Sequence, residues 1–553
     1  MKRRNRAISL LLATAMTLSM VLSGCGNSAS DGGQNAGGAK SAQPDTAASA
    51  AAPAPADGTE AAWDTGKEDT IILSVINNFY TAGEKKLAEE YMKLHPETKV
   101  VVDVISDNDA YLTKMVTSLS DDKKENAPDI VHGNFVGMAL TNNSMDLAVD
   151  KGYLYDMTEM LDEENPYNGN AKVADVFETD DLTRVLSNSG GKYRPYLPFD
   201  KIGFAFFYNK NIFEEHNIQV PETYEEVVEV CQKLKDAGYD VPLSAGYESF
   251  RLGNTLADAI YRAKEEEFLI QPEDALWDET TMASNKDFKF DEAQPNCDQF
   301  CVLSPERMLK YGIENGVDTP ENKAMWTEFQ KLGQYFPKNW IAAESTQCIA
   351  DFESQISPML YQASFNAGLI LSDINQLSGD MAFDWATFQI NSFENPPEGF
   401  QKDLRSYWDF GNIMSIIHKE DSDHMARVKD FYKFWYSPQG AQLCYEETLT
   451  NGNYVQGPCV IKGVTLSEEL EGILAGFEPV APSKEWNSIT GLERSNQADI
   501  PKFNDAVIRY TNKEIDVDGL LKELNPIYSN YNQDAKTAGG YDLDPATDDT
   551  PKE

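Results

Sequence analysis

Between Thr70 and Val131 short β-branched runs alternate with helical patterns, and this alternation restricts the chain more than any other feature. Thr70–Ile76 reads as an apolar strand. Glu84–Leu94 then places Leu87, Ala88, Tyr91 and Leu94 at one-face helical spacing. Lys99–Ile105 is a valine-rich second strand, Tyr111–Leu119 a second helix, and Pro128–Val131 the start of a third strand. Strands joined by single short helices imply a parallel sheet with right-handed crossovers, hence an α/β fold. Such sheets bind ligands beyond the carboxyl ends of their strands. That rule points to Asn77–Tyr80, Ser106–Asp109 and His132–Phe135.

The middle of the chain carries the most specific pattern. Gly191-Lys192-Tyr193-Arg194-Pro195-Tyr196-Leu197-Pro198 leads into an apolar strand at Ile202–Phe207 and then Tyr208-Asn209-Lys210-Asn211-Ile212-Phe213. A helix is expected after Thr223. Thr223 and Glu226 stand at capping-box spacing, Tyr224, Val227, Cys231 and Leu234 share one face, and Gly238 supplies the stop. Further on come Phe352–Met359, Ser406–Ile413, and a helix at His424–Tyr436 stopped by Ser437-Pro438 and followed by Gly440 and Gln442.

Together these segments resemble the carbohydrate-type solute-binding lipoproteins of bacterial ABC importers, over about Thr70 to Gln533. One departure is Ser354-Gln355, where that family usually has Gly-Lys. The resemblance implies a two-lobed, periplasmic-binding-protein-like α/β fold whose hinge strands cross between lobes more than once. It implies a first lobe of 67–200 plus 352–408 and a second of 201–351 plus 409–533, the acidic stretch 250–325 enlarging the second. Sugars offer apolar C–H faces to aromatic rings and hydroxyls to polar groups. Cleft positions implied by the resemblance, or next to them, are Asn78, Tyr80, Asn134, Phe135, Asp200, Lys201, Tyr361, Gln362, Phe365, Trp408 and Asp409. The implied partners are an oligosaccharide ligand and the permease subunits of an ABC transporter, with the chain expected to be monomeric.

The amino terminus reads as an export signal: Lys2, Arg3, Arg4 and Arg6 precede an apolar run, Ala7–Leu22. It ends in Leu22-Ser23-Gly24-Cys25, which resembles the lipobox of bacterial lipoproteins. Residues 1–24 are then a signal peptide and Cys25 the lipidated first residue, holding the protein at the outer face of the cell membrane. The alternatives are a plain secretory signal or a signal anchor. Residues 25–66, rich in Ala, Gly, Ser and Pro, read as a tether with a reach of about 35 Å. Residues 534–553 read as a loose acidic tail.

With 90 Asp and Glu against 47 Lys and Arg, the net charge of −43 excludes general attraction to nucleic acid. Six cysteines follow Cys25, and only Cys297 and Cys301 are close in sequence. The five histidines are scattered, so neither a metal nor a cofactor is expected. Asp516-Val517-Asp518-Gly519 lacks the remaining ligands of a calcium loop. No catalytic residues are assigned, because no nucleophile elbow or phosphate loop is present. The competing classes are a glycoside hydrolase-like enzyme, using carboxylates such as Glu353 and Asp409, and a surface adhesin lipoprotein.

Overall fold

The computed structural model describes residues 70–544 apart from 78, 121–123, 125, 142, 280–281, 295, 478–480, 493–498 and 540–542. The signal peptide, Cys25, the tether and Asn78 therefore lie outside the described residues, as does most of the acidic tail. Along the first part of the chain run β1 (Thr70–Ile76), α1 (Thr81–Leu94), β2 (Lys99–Ile105), α2 (Asn108–Ser118), β3 (Ile130–His132) and α3 (Gly133–Leu140). Then come α4 (Thr179–Ser189), β4 (Lys201–Asn209), α5 (Tyr224–Asp236), β5 (Leu243–Ser244), α6 (Phe250–Tyr261) and α7 (Pro320–Gly333). The last part carries β6 (Met359–Ala363), β7 (Trp385–Phe388), β8 (Trp408–Phe410), β9 (Met414–Ile416), α8 (Ser422–Trp435), α9 (Pro438–Thr450), α10 (Ile500–Thr511) and α11 (Val517–Gly539).

The opening alternation folds as its pattern requires. β1 is buried along almost its whole length and pairs in parallel with β2 on one side and β3 on the other. A strand covered on both faces needs a continuous apolar run, which Ile71–Ile76 provides, interrupted only by Ser74. Asp107 starts α2 by accepting from the Ala110 amide at 2.9 Å. β9 closes the sheet antiparallel to β3, giving the order β9-β3-β1-β2. Helices α8 and α9 cover it, with Tyr91 of α1 packed edge-on against Phe431 at 5.0 Å.

The second sheet is built on β4. β8, β6 and β7 all pair with β4 antiparallel, and β5 adds in parallel to β6. Aromatic rings match across these strands: Phe206 meets Tyr361 at 5.0 Å and Phe388 at 5.1 Å, and Phe207 stacks on Trp385 at 5.5 Å. Cross-strand aromatic pairs of this kind fix partner and register. They correct the expected division of the chain, because residues 359–388 join the sheet of 201–209 and not that of 70–132. The return segment is corrected in the opposite sense. β8 still belongs to the second sheet, the chain changes body at Gly411–Ile413, and β9 completes the first sheet.

Helices α5, α6, α7, α10 and α11 enclose the second sheet around Trp326, Phe329, Trp486 and Tyr510. The capping box of α5 is present as read: the Glu226 amide donates to Thr223 Oγ1 at 3.4 Å, and the Thr223 amide to Glu226 Oε2 at 3.1 Å. Tyr224, Val227, Cys231 and Leu234 are all buried. At the carboxyl end α11 continues to Gly539, six residues into the stretch expected to be loose. Asp516 accepts from the Gly519 amide at 2.8 Å beside the start of that helix, so the acidic run at 516–519 serves a turn.

Candidate functional site

Three segments cross between the two sheets side by side: Phe199–Lys201 entering β4, Gly411–Ile413 between β8 and β9, and Val455–Val460. The Lys201 amide donates to the Pro458 carbonyl at 3.1 Å and the Val460 amide to that of Phe199 at 3.0 Å. The approach is so close that a Cβ on Gly457 would stand 1.7 Å from the Lys201 carbonyl oxygen. At Gly411 a Cβ would meet Asp200 Oδ1 at 2.7 Å. Only glycine fits either place.

Asp200 sits at the centre of this bundle. It is fully buried, accepts from the Tyr80 hydroxyl on Oδ2 and takes the Asn412 amide on Oδ1 at 2.7 Å. Tyr80, itself fully buried, has φ of +50° and donates its amide to the Tyr454 carbonyl at 3.1 Å. A bulky residue holds that left-handed conformation only where its surroundings impose it. Burial, opposed by the hydrogen bonds from Tyr80 and Asn412, pushes the Asp200 carboxyl up to about 6. Both residues were expected to touch ligand. The structure places them inside the hinge instead.

Beside the crossings opens a cleft of about 540 Å³. Its walls come from the first turns of α4, from Lys201 and Trp408 of the paired hinge strands, from Asn296 and Gln299, and from Pro458–Val460. Trp408 is half-buried, with the Arg184 guanidinium and the Lys201 ammonium each 4.5 Å from its ring centroid. Lys201 is paired with Asp181 at 3.0 Å. Asp409, the neighbour of Trp408, accepts from Asn188 Nδ2 at 2.8 Å. One Arg184 nitrogen is enclosed with no hydrogen-bond partner among the described residues.

Thus Lys201, Trp408 and Asp409 come together, and most other expected contacts do not. Phe135 is core, packed edge-on against Tyr111 at 5.1 Å, whereas Asn134 is half-buried at the start of α3. Tyr361 is buried between Phe204 and Phe206. Gln362 is buried too, donating to Ser345 Oγ at 2.7 Å. Phe365 is half-buried against the second-sheet core. The reason is common to Phe135, Tyr361 and Gln362: each projects from its element into packed neighbours. Cleft-lining residues that sequence reasoning did not single out are Asp180, Asp181 and Arg184 on α4 together with Asn296 and Gln299. The four-residue spacing of Asp180, Arg184 and Asn188 puts them on one helical face, a signal that local inspection contains.

Compared with known proteins, residues 80–442 match the family of bacterial extracellular solute-binding proteins. The chain belongs to that family. None of the curated proteins compared with it matches. Among solved structures this solute-binding protein is similar to the apo form of RafE from Streptococcus pneumoniae, with a TM-score of 0.51 at 17% identity, over 84% of this chain and 98% of that one. Also similar are RafE in complex with raffinose, with a TM-score of 0.49 at 17% identity over 84% and 99% of the two chains, and a chitin oligosaccharide binding protein, 0.46 at 15% over 84% and 99%. The architecture shared with apo RafE is the two-lobed solute-binding fold, and the three crossings join the two sheets.

Proposed function

We propose that this solute-binding protein captures an oligosaccharide between its two bodies and delivers it to the permease of an ABC transporter. The observation that carries this reading is Trp408: a half-exposed indole on a hinge strand, beside a cleft whose walls hold carboxylate, amide, ammonium and guanidinium groups. A pyranose needs one apolar platform and several polar edges, and this is such a combination. The Lys201 side chain is 28% exposed and held by Asp181, which places its ammonium at the platform where a sugar hydroxyl would arrive. A ligand touching both bodies favours the closed arrangement because it binds that state better. The polar groups then hold hydroxyls and no bond is broken. Asp409 already accepts a hydrogen bond from Asn188 of α4, a role that suits a group holding hydroxyls.

A thermal-shift screen of the lipid-free protein against di- to hexasaccharides tests this. At one hundred times Kd the matching sugar stabilises the fold by about 2.7 kcal/mol, and chromatography should recover it intact. If no sugar shifts the melt, or shorter sugars accumulate in proportion to protein, the reading fails.

The same proposal places the protein on the outer face of the membrane through a lipid on Cys25. Cys25→Ala should move it from the membrane to the soluble fraction on cell fractionation. Retention of that variant in the membrane would refute the anchor.

A further inference from the structure

The stretch between α6 and α7 contains a long irregular segment, and its tip is fixed at the cleft. Asp298 there is fully buried and paired with Arg405 at 2.6 Å. Asn285 grips both strands of the segment base, donating to the Ile270 carbonyl at 2.8 Å and that of Val302 at 2.9 Å. On either side of the buried Asp298, Asn296 and Gln299 turn outward and line the cleft. Gln299 Nε2 donates to Asp180 Oδ2 of α4 at 3.1 Å, so the segment meets the opposite wall directly. A tip tethered through a buried ion pair is a rigid boundary, and rigid polar boundaries select ligands by length and by hydroxyl position.

We infer that residues 296–301 are the end wall of the ligand cleft, and that Asn296 and Gln299 determine which oligosaccharide length the protein accepts. This rests on the carbohydrate reading above. In this arrangement the two side-chain amides bond hydroxyls of the terminal sugar unit. The Gln299–Asp180 hydrogen bond closes the cleft beyond that unit. Both side chains are at least partly exposed, so removing them leaves the core and the Asp298 anchor in place.

The test uses the full chain and Asn296→Ala/Gln299→Ala, titrated calorimetrically with malto-, xylo- and chito-oligosaccharide ladders of two to six units. Two lost hydrogen bonds should weaken the best wild-type ligand about 5- to 150-fold. The preferred length should rise by at least one unit, with the melting temperature without ligand unchanged. Wild-type affinities and length preference retained in the variant would overturn the inference while leaving the carbohydrate reading intact. If no ladder binds the wild type, the carbohydrate reading fails, and hydrogen exchange decides the wall. Gln299→Ala should speed amide exchange across 178–184 in the protein without ligand, whereas unchanged exchange there would overturn the end wall itself.

Discussion

Replacing Arg405 by methionine should cost the fold about 3–5 kcal/mol at neutral pH, read as a fall in the urea midpoint. Arg405 is fully buried and grips Asp258 with two nitrogens, at 2.8 and 2.7 Å, while a third reaches Asp298 at 2.6 Å. Asp258 also takes the Lys484 amide at 2.9 Å and Trp486 Nε1 at 3.3 Å. Burial raises the Glu265 carboxyl well above its ordinary range. Asp298 is held far below the carboxylate range although burial pushes the other way, because the Glu265 hydrogen bond and the Arg405 charge outweigh it. Methionine keeps most of the volume and removes the cation shared by two enclosed carboxylates, and such groups cost far more without their counter-charge than with it. A loss below about 1 kcal/mol would show that this group does not hold the second body together.

The parent protein should lose about 3 kcal/mol of stability relative to Asp200→Asn as pH rises from about 4 to 7. The ordinary value for such a carboxyl is 3.8, and burial raises Asp200 to about 6 in the fold. A folded value above the unfolded one means that the favourable contribution is complete below pH 3.8 and is lost as pH rises through about 6. Asparagine keeps an acceptor for the Asn412 amide or the Tyr80 hydroxyl and does not titrate, so its curve lacks this component. Denaturation of both proteins at matched pH isolates the difference. A parent-minus-variant difference flat between pH 4 and 7 would refute the assignment. Because Asp200 ties the crossing segments together, this titration acts where the chain passes between the two sheets.

Much of the fold was legible because local signals are local physics. The valine- and isoleucine-rich runs at 70–76 and 99–105 became strands at those bounds. Thr223 with Glu226 marked a helix start, and Ser437-Pro438, read as the stop of one helix, also caps the next, since each satisfies free amides at a first turn. The family pattern at 191–213 led to the hinge strand itself. Trp408, Lys201 and Asp409 come together because they lie on the paired strands that enter and leave the crossings.

By itself the sequence determined the α/β class and the order of the opening strands and helices, since periodicity and caps depend on residues a few positions apart, whereas the crossing between lobes was implied by the family resemblance. Tertiary structure alone decided which sheet received 359–388 and 414–416, because strand pairing is settled by facing side chains such as Phe206 and Phe388, far apart in the chain. It alone turned Tyr80 and Asp200 from ligand contacts into hinge residues. Their hydrogen bond spans 120 positions, and Arg405 meets Asp258 and Asp298 across 147 and 107. Burial of a polar group is favourable only where its partners converge, and such convergence is a property of the folded chain that no local window contains.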